Sequence, residues 1–356
     1  MITSLQTGGA EKLMTELLPR IKEGGDVVEL CVFDGVRTPF YEELERKGVM
    51  IHVLGMSVYS PWNIVKLLSL LRKYDVVHTH NTACQYYAAI ARGFAKSNLV
   101  TTEHNTDNRR RGNLCWKWLD RWMYHCYNKV ICISEETKEN LLCHLFGKDA
   151  VANDKYLTIY NGIDVAKYKI GQHVDAGDNA PHNILMVSAF RWQKDQQTLV
   201  RALSLLGQDY KVCFVGEGEQ KLIEECKILA KKLDVANRIE FLGLRDDIPK
   251  LLQTADVVVQ SSHVDGFCLA AVEGMASGTP VIASNIPGLG DIVGGYGILF
   301  PHEDYKALAD EIRKVCEDKE YCGEVVRKCQ ERARMFDISV MVKKYMDVYK
   351  KEMRTL

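Results

Sequence analysis

Residues Gln260 to Ser284 read QSSHVDGFCLAAVEGMASGTPVIAS, and the fold turns on how they are read. They follow Asp256 and the apolar run Val257, Val258, Val259, which has the composition of a strand buried on both faces. Asp265 and Gly266 then lead into an Ala-rich helix expected to start near Leu269, and Pro280 opens a second strand. Strand, glycine turn, helix, strand is the repeating unit of a parallel α/β sheet. Gly266 permits close backbone approach. The helix behind it turns N–H groups and a positive dipole end toward the carboxyl edge of the sheet, as a phosphate seat requires. Asp265 and Glu273 stand eight residues apart, one before the helix and one inside it, so both carboxylates can address one crevice. Acceptor-only groups suit sugar and ribose hydroxyls. Taken singly, an acid beside glycine is as often a helix N-cap, and a lone helical Glu as often faces water.

The order of an acidic residue, Gly266 and Phe267, then Glu273-Gly-Met-Ala-Ser-Gly-Thr-Pro-Val-Ile-Ala-Ser, resembles the signature of retaining GT-B glycosyltransferases. The likeness is strongest to family 4 (glycosyl transferases group 1) of the bacterial envelope polysaccharide type. By position, the resemblance implies that Asp265 contacts donor-sugar hydroxyls and that Glu273 holds the ribose diol. It also implies that Gly266, Phe267, Cys268 and Leu269 lie along the sugar and diphosphate. The family usually carries Glu where this chain has Asp265, a shorter arm that bears on sugar choice and turnover.

A length of 356 residues with 47% apolar content fits two domains with separate cores. Lys and Arg number 46 against 47 Asp and Glu, so no global charge points to nucleic acid. The twelve cysteines show neither Cys-x-x-Cys nor Cys/His metal spacing and follow no signal-peptide pattern; they read as reduced, cytoplasmic core residues. No apolar run reaches the roughly 18 to 20 residues of a membrane span.

In the first half, Ile2-Thr-Ser leads through Gly8 and Gly9 into a helix over 10–22, a second glycine-rich helix start; the resemblance implies that this loop lies close to the donor phosphates and the acceptor, which makes Gly8 and Gly9 candidate donor contacts. Relative to the family this first strand reads as truncated, which would leave neighbouring strands of a doubly wound sheet unpaired. Strands are expected at 27–33, 49–54, 75–79, 99–102 and 130–133. Two strand ends carry histidines, His80 and His104; His104 is the favoured base toward an acceptor hydroxyl, with a hydrogen-bonded structural role open for both. Arg109, Arg110 and Arg111 precede a helix bearing Trp116, Trp118 and Trp122. Its apolar face is expected to comprise Cys115, Trp116, Trp118, Leu119, Trp122, Met123, Cys126 and Tyr127, with Asp120 opposite. That face suits packing on the sheet, and with the arginines it also suits a membrane interface. Ser134 reads as a helix N-cap, Tyr160 to Asp164 as a closing turn, and 166–182 as a linker.

The second half restarts at Asn183 to Ser188. The resemblance places a diphosphate clamp in the following loop, with Lys194 in the family's Lys position and Ala189 where the family has Arg. Arg191 is the candidate second cation. Gly243 and Arg245 are candidate contacts to the nucleotide base. Gly216-Glu-Gly218 alone is a weak signal. Helices over 307–317, 320–334 and 338–353 end the chain, the last with Val342, Tyr345, Met346 and Tyr349 on one stripe.

The expectation is therefore α/β: GT-B, two Rossmann-like doubly wound domains facing a cleft. The domains are an acceptor-binding one over 1–165, a nucleotide-sugar-binding one over 183–335, and a helix over 336–356 crossing back. The resemblance implies a retaining transfer from a nucleoside diphosphate sugar, UDP favoured over GDP, to a hydroxyl of a glycan or lipid-linked glycan. A donor phosphate oxygen would take the acceptor proton. Asp-x-Asp is absent, so no metal cofactor is expected at the diphosphate. The alternatives are a nucleotide-sugar epimerase or hydrolase of the same fold, or a non-catalytic glycan-binding protein. The expected location is cytoplasmic, with peripheral contact on the inner face of the membrane.

Overall fold

The computed structural model describes residues 1–6, 8–55, 57–58, 60–104, 114–147, 153–168 and 181–353. The chain forms two compact units, Met1–Gly162 with Ile338–Leu356, and Ile163–Asp337.

The first unit contains strands β1 (Glu29–Val32), β2 (Met50–Val53), β3 (Val76–Thr79), β4 (Asn98–Glu103), β5 (Lys129–Cys132) and β6 (Tyr156–Thr158). All pairings are parallel, and consecutive strands alternate with helices as βαβ geometry demands. Five of these strands stand where the apolar runs placed them. β6 was not expected, because three residues of mixed polarity carry no period. The strands form two sheets, β1-β2 and β3-β4-β5-β6. Residues Met1 to Thr3 link them at one end. Ile2 N–H donates to the Cys31 carbonyl (3.1 Å), Phe33 N–H to that of Thr3 (3.1 Å) and His80 N–H to that of Met1 (3.0 Å). Below this link lies an apolar cavity of about 440 Å³, lined among others by Met14, Leu17, Leu30, Val77, Leu71 and Met346.

The helix Ile338–Met353 belongs to this unit. Tyr345 is fully buried in the same core as Val100 and Ile131, with Val342, Met346 and Tyr349 packed around it. Its hydroxyl meets Thr102 (3.1 Å), and the Tyr349 hydroxyl meets His78 Nδ1 (2.5 Å). One stripe of the helix thus supplies both apolar area and partners for buried polar groups.

The second unit has one six-stranded parallel sheet built from β7 (His182–Val187), β8 (Tyr210–Val215), β9 (Ile239–Phe241), β10 (Val257–Gln260), β11 (Val281–Ser284) and β12 (Ile298–Phe300). Their order is β12-β11-β10-β7-β8-β9. The chain winds outward from β7 in one direction, then returns to start β10 on its other side. The connections leaving the carboxyl ends of β7 and β10 therefore diverge and leave a crevice, the topological switch point of a doubly wound sheet. The all-Val run of β10 is fully buried, as a strand covered on both faces must be.

The helix Leu269–Ser277 lies close on β10 and β11 because Gly274 has no side chain. A Cβ there would come within 3.0 Å of Val281 Cγ2 and 3.2 Å of both Val258 methyls. Gly274→Val should destabilise the protein by roughly 1–3 kcal/mol through overpacking, read as a lower urea midpoint at unchanged m-value. An unchanged midpoint would show that the helix has room to lift.

Candidate functional site

The loop after β7 runs from Ser188 to Asp195 and is pinned by the turn after β8. Gly216 adopts φ +135, and a Cβ on it would lie 2.2 Å from the Ser188 carbonyl oxygen; on Gly218 it would lie 2.2 Å from that of Phe190. Phe190 N–H donates to the Glu217 carbonyl and Glu219 N–H to that of Phe190. The weak Gly-x-Gly signal thus marks two backbones in contact.

On this loop Lys194 forms an ion pair with Asp265, which sits after β10. The pair closes the switch point, joining the two loops that diverge there. Burial opposes the Lys194 charge, but the Asp265 carboxylate outweighs it and raises the pKa above the ordinary lysine range. Arg191 lies close enough to repel Lys194 electrostatically, but its side chain is exposed and lines a neighbouring cleft with Asp195, Arg201 and His263. The two cations therefore do not converge as a ready clamp, because Asp265 has drawn Lys194 to itself.

From Asp265 the chain passes through half-buried Gly266 and buried Phe267, whose ring meets Phe336 edge-on at 5.5 Å. Buried Cys268 precedes the helix Leu269–Ser277, and no side chain among the described residues caps that helix. Its positive end is thus left to the backbone and to any ligand above it. Burial pushes the Cys268 thiol far up, so it is an uncharged wall at neutral pH. One turn into the helix, Glu273 is buried and accepts a 2.8 Å hydrogen bond from the Tyr168 hydroxyl. Asp265 and Glu273 therefore have separate partners. Tyr168 corrects the linker reading: residues 165–168 form a 3-10 turn packed into the second unit, while 169–180 lie outside the described residues. A tyrosine in a polar stretch offers no pattern that would single it out.

Gly243 adopts φ +63 and its carbonyl accepts from Gly216 N–H. Arg245 is exposed and bound bidentately to Asp247 at 2.8 and 2.7 Å, so it is tied to its own turn.

In the first unit, Gly9 begins the helix Gly9–Glu23 and Gly8 is its N-cap in extended conformation. His80 and His104 come together at the carboxyl ends of β3 and β4, with His80 Nδ1 3.2 Å from His104 Nε2. Burial drives both pKa values down, that of His104 to about 4. Both rings are thus neutral near pH 7, and one must donate to the other. Ser134 caps its helix by accepting from Thr137 N–H.

The helix Leu114–His125 corrects the expected packing. Asp120, Met123, Tyr124 and Tyr127 point inward, whereas Trp116, Trp118, Leu119 and Trp122 are exposed, Trp118 to 70%. Asp120 tolerates burial because its carboxylate accepts from the Tyr86 hydroxyl (2.5 Å) and pairs with His144 (2.9 Å). Arg109, Arg110 and Arg111 lie outside the described residues.

The neutral histidines have a consequence for stability. The unfolded chain takes up protons near the usual histidine pKa of 6.5, whereas folded His80 and His104 do so only at much lower pH. The unfolded state therefore binds more protons between about pH 6.5 and 4, and stability falls as pH drops through that window. A His80→Gln, His104→Asn double variant should show a flatter decline in urea midpoint between pH 7.5 and 5. Parallel curves would remove these rings from the acid sensitivity.

Known proteins share both sequence and architecture with this chain. Residues 7–167 match the family model Glycosyltransferase Family 4, and residues 176–335 match Glycosyl transferases group 1. The putative glycosyltransferase EpsD of Bacillus subtilis is 31% identical, covering 89% of this chain and 93% of its own. The Escherichia coli UDP-Gal:alpha-D-GlcNAc-diphosphoundecaprenol alpha-1,3-galactosyltransferase is 27% identical over 94% of this chain and 90% of its own. The crystal structure of Anabaena Alr3699/HepE in complex with UDP and glucose superposes with a TM-score of 0.83 at 21% identity, covering 98% of each chain. With its two parallel-sheet units and the motif at 265–284, this chain is a glycosyltransferase of GT-B fold and belongs to the group 1 family.

Proposed function

We propose that the protein transfers a sugar, with retention, from a UDP-sugar to a hydroxyl of a lipid-linked or envelope glycan. The observation that carries this reading is the placement of Lys194, Asp265 and the start of the helix Leu269–Ser277 at the switch point of one sheet. In the reaction, the anomeric carbon–phosphate oxygen bond breaks, the acceptor oxygen bonds that carbon, and the acceptor proton passes to a donor phosphate oxygen. Lys194 and the helix start meet charge building on the diphosphate. Once the diphosphate competes for Lys194, Asp265 is released to accept from sugar hydroxyls, while Tyr168 holds Glu273 for the ribose diol. Arg191 swings in as the second cation, and backbone around Gly243 receives the base with Arg245 at its edge. The first unit takes the acceptor, with His104 beside the hydroxyl. Support for UDP and for a lipid-linked acceptor comes from what the Escherichia coli relative is named for and from the UDP held by HepE.

The exposed Trp116, Trp118, Leu119 and Trp122, with Arg121 over the Trp118 ring at 5.3 Å, fit contact with the headgroup layer of an anionic bilayer. No helix among the described residues is long and apolar enough to cross one.

Four measurements test these readings. UDP at about 100 times its dissociation constant should stabilise the protein by roughly 2.7 kcal/mol, and Glu273→Ala should abolish the shift. Tyr168→Phe should weaken UDP binding about five- to tenfold, the value of one net hydrogen bond near 1 kcal/mol. Lys194→Met should cut turnover by about 10²–10³. Absence of a shift with either UDP or GDP would overturn the donor assignment. Separately, vesicles rich in anionic lipid should sediment the wild type and release a Trp118→Ser, Trp122→Ser variant. Equal sedimentation of both would place membrane contact elsewhere.

A further inference from the structure

Beside the Lys194 loop, two segments of the second unit bring His263, His302 and Glu303 together. His263 Nδ1 lies 2.9 Å from His302 Nε2 and 3.3 Å from Glu303 Oε1, and His302 Nε2 lies 4.0 Å from Glu303 Oε1. Ligand atoms bound tetrahedrally at about 2.0–2.1 Å stand about 3.3–3.4 Å apart. The three separations bracket that edge, so a cation needs only small side-chain adjustments to touch all three. We propose that His263, His302 and Glu303 form a binding site for a borderline divalent transition-metal ion of the Zn²⁺ class, with water completing the coordination.

Three further observations support it. The other ring nitrogen of His263, Nε2, faces Asp195 Oδ1 at 3.8 Å. A carboxylate behind a ligating imidazole is the usual arrangement for fixing its tautomer. Asp195 itself is buried, and its Oδ2 has no hydrogen-bond partner among the described residues. Finally, Asp195 (φ 43) and Glu303 (φ 63) are two of the three non-glycine residues with positive φ among the described residues. Backbone held in that region by side-chain-bearing residues concentrates where function demands it.

The donor set differs from what a diphosphate-bridging Mg²⁺ would need. Two imidazoles and one carboxylate select a softer ion than all-oxygen sites do. His302 and Glu303 are exposed, so the ion can enter from water. Once bound, it ties the loop after β10 to the loop after β12, and the first of these is already joined to the Lys194 loop. His263 and Val264 N–H both donate to the Gln193 carbonyl (2.8 and 3.3 Å), and Trp192 packs on the His263 ring at 5.3 Å. The ion would thus stiffen the loop bearing Arg191 and Lys194. Binding stands apart from the transferase reading; only an effect on the donor rests on it.

The test uses the full chain, stripped with chelator and kept reduced, titrated with Co²⁺ and then Zn²⁺. One equivalent of Co²⁺ should bind saturably with visible bands of low coordination number and without thiolate charge transfer, and Zn²⁺ should displace it. His302→Ala should weaken binding more than tenfold. Asp195→Asn, which keeps an acceptor for the Thr198 N–H, should weaken it about 10- to 100-fold. Zn²⁺ should raise the melting temperature of the wild type but not of His302→Ala, the two melting alike in chelator. A thiolate charge-transfer band, binding unaffected by His302→Ala, or no saturable binding would each overturn the site.

Discussion

The second unit depends on one constraint, the reversal of strand order between β7 and β10. Parallel strands wound in both directions from β7 must send two neighbouring connections apart, and the gap has to be filled or bridged. Here Lys194 from one loop and Asp265 from the other bridge it with an ion pair. Removing two charges from water is costly unless they meet, so each fixes the other. In the proposed reaction the pair is an attraction that the ligand exchanges: a diphosphate offers Lys194 a better partner, and a sugar offers Asp265 its hydroxyls. The resting geometry therefore stores the groups the proposed reaction needs in a mutually neutralised form.

Around that gap, rigidity comes from backbone contact. The turn at 216–218 presses on the loop after β7 without intervening side chains, and Gly274 lets the helix carrying Glu273 lie on β10 and β11. Three loops meet again at Asp195, His263 and Glu303, where two residues hold unusual backbone conformations. Loops positioned on a rigid sheet are where binding chemistry gathers in this class of fold. The density of contacts here agrees with that rule.

The first unit solves a different problem. Its six strands do not form one ladder, and the short link at Met1 to Thr3 leaves an apolar cavity beneath it. Buried polar groups near the link are met by side chains: Tyr345 and Tyr349 from the C-terminal helix serve Thr102 and His78. The same need for partners explains Asp120. Helical period alone assigned it to the outside of Leu114–His125. Tyr86 and His144, distant in sequence, make its burial cheap and turn the tryptophans outward.

The sequence by itself determined the architecture of this protein and where to look for its chemistry. Apolar runs of four to six residues alternating with amphipathic stretches are local signals. They placed five of the first six strands, the β10-to-β11 motif, the helix start at Leu269 and the Ser134 cap. The motif at 265–284 carried the family because its residues are contiguous. Only the tertiary structure decided which groups meet. Lys194 and Asp265 are 71 residues apart, and Tyr168 and Glu273 are 105 apart. His263 and His302 lie in loops with no shared period. Partnership between side chains depends on strand order and on the close approach of backbones. A pattern read along the chain carries neither, because the energy of an ion pair or a buried hydrogen bond depends on distance in space.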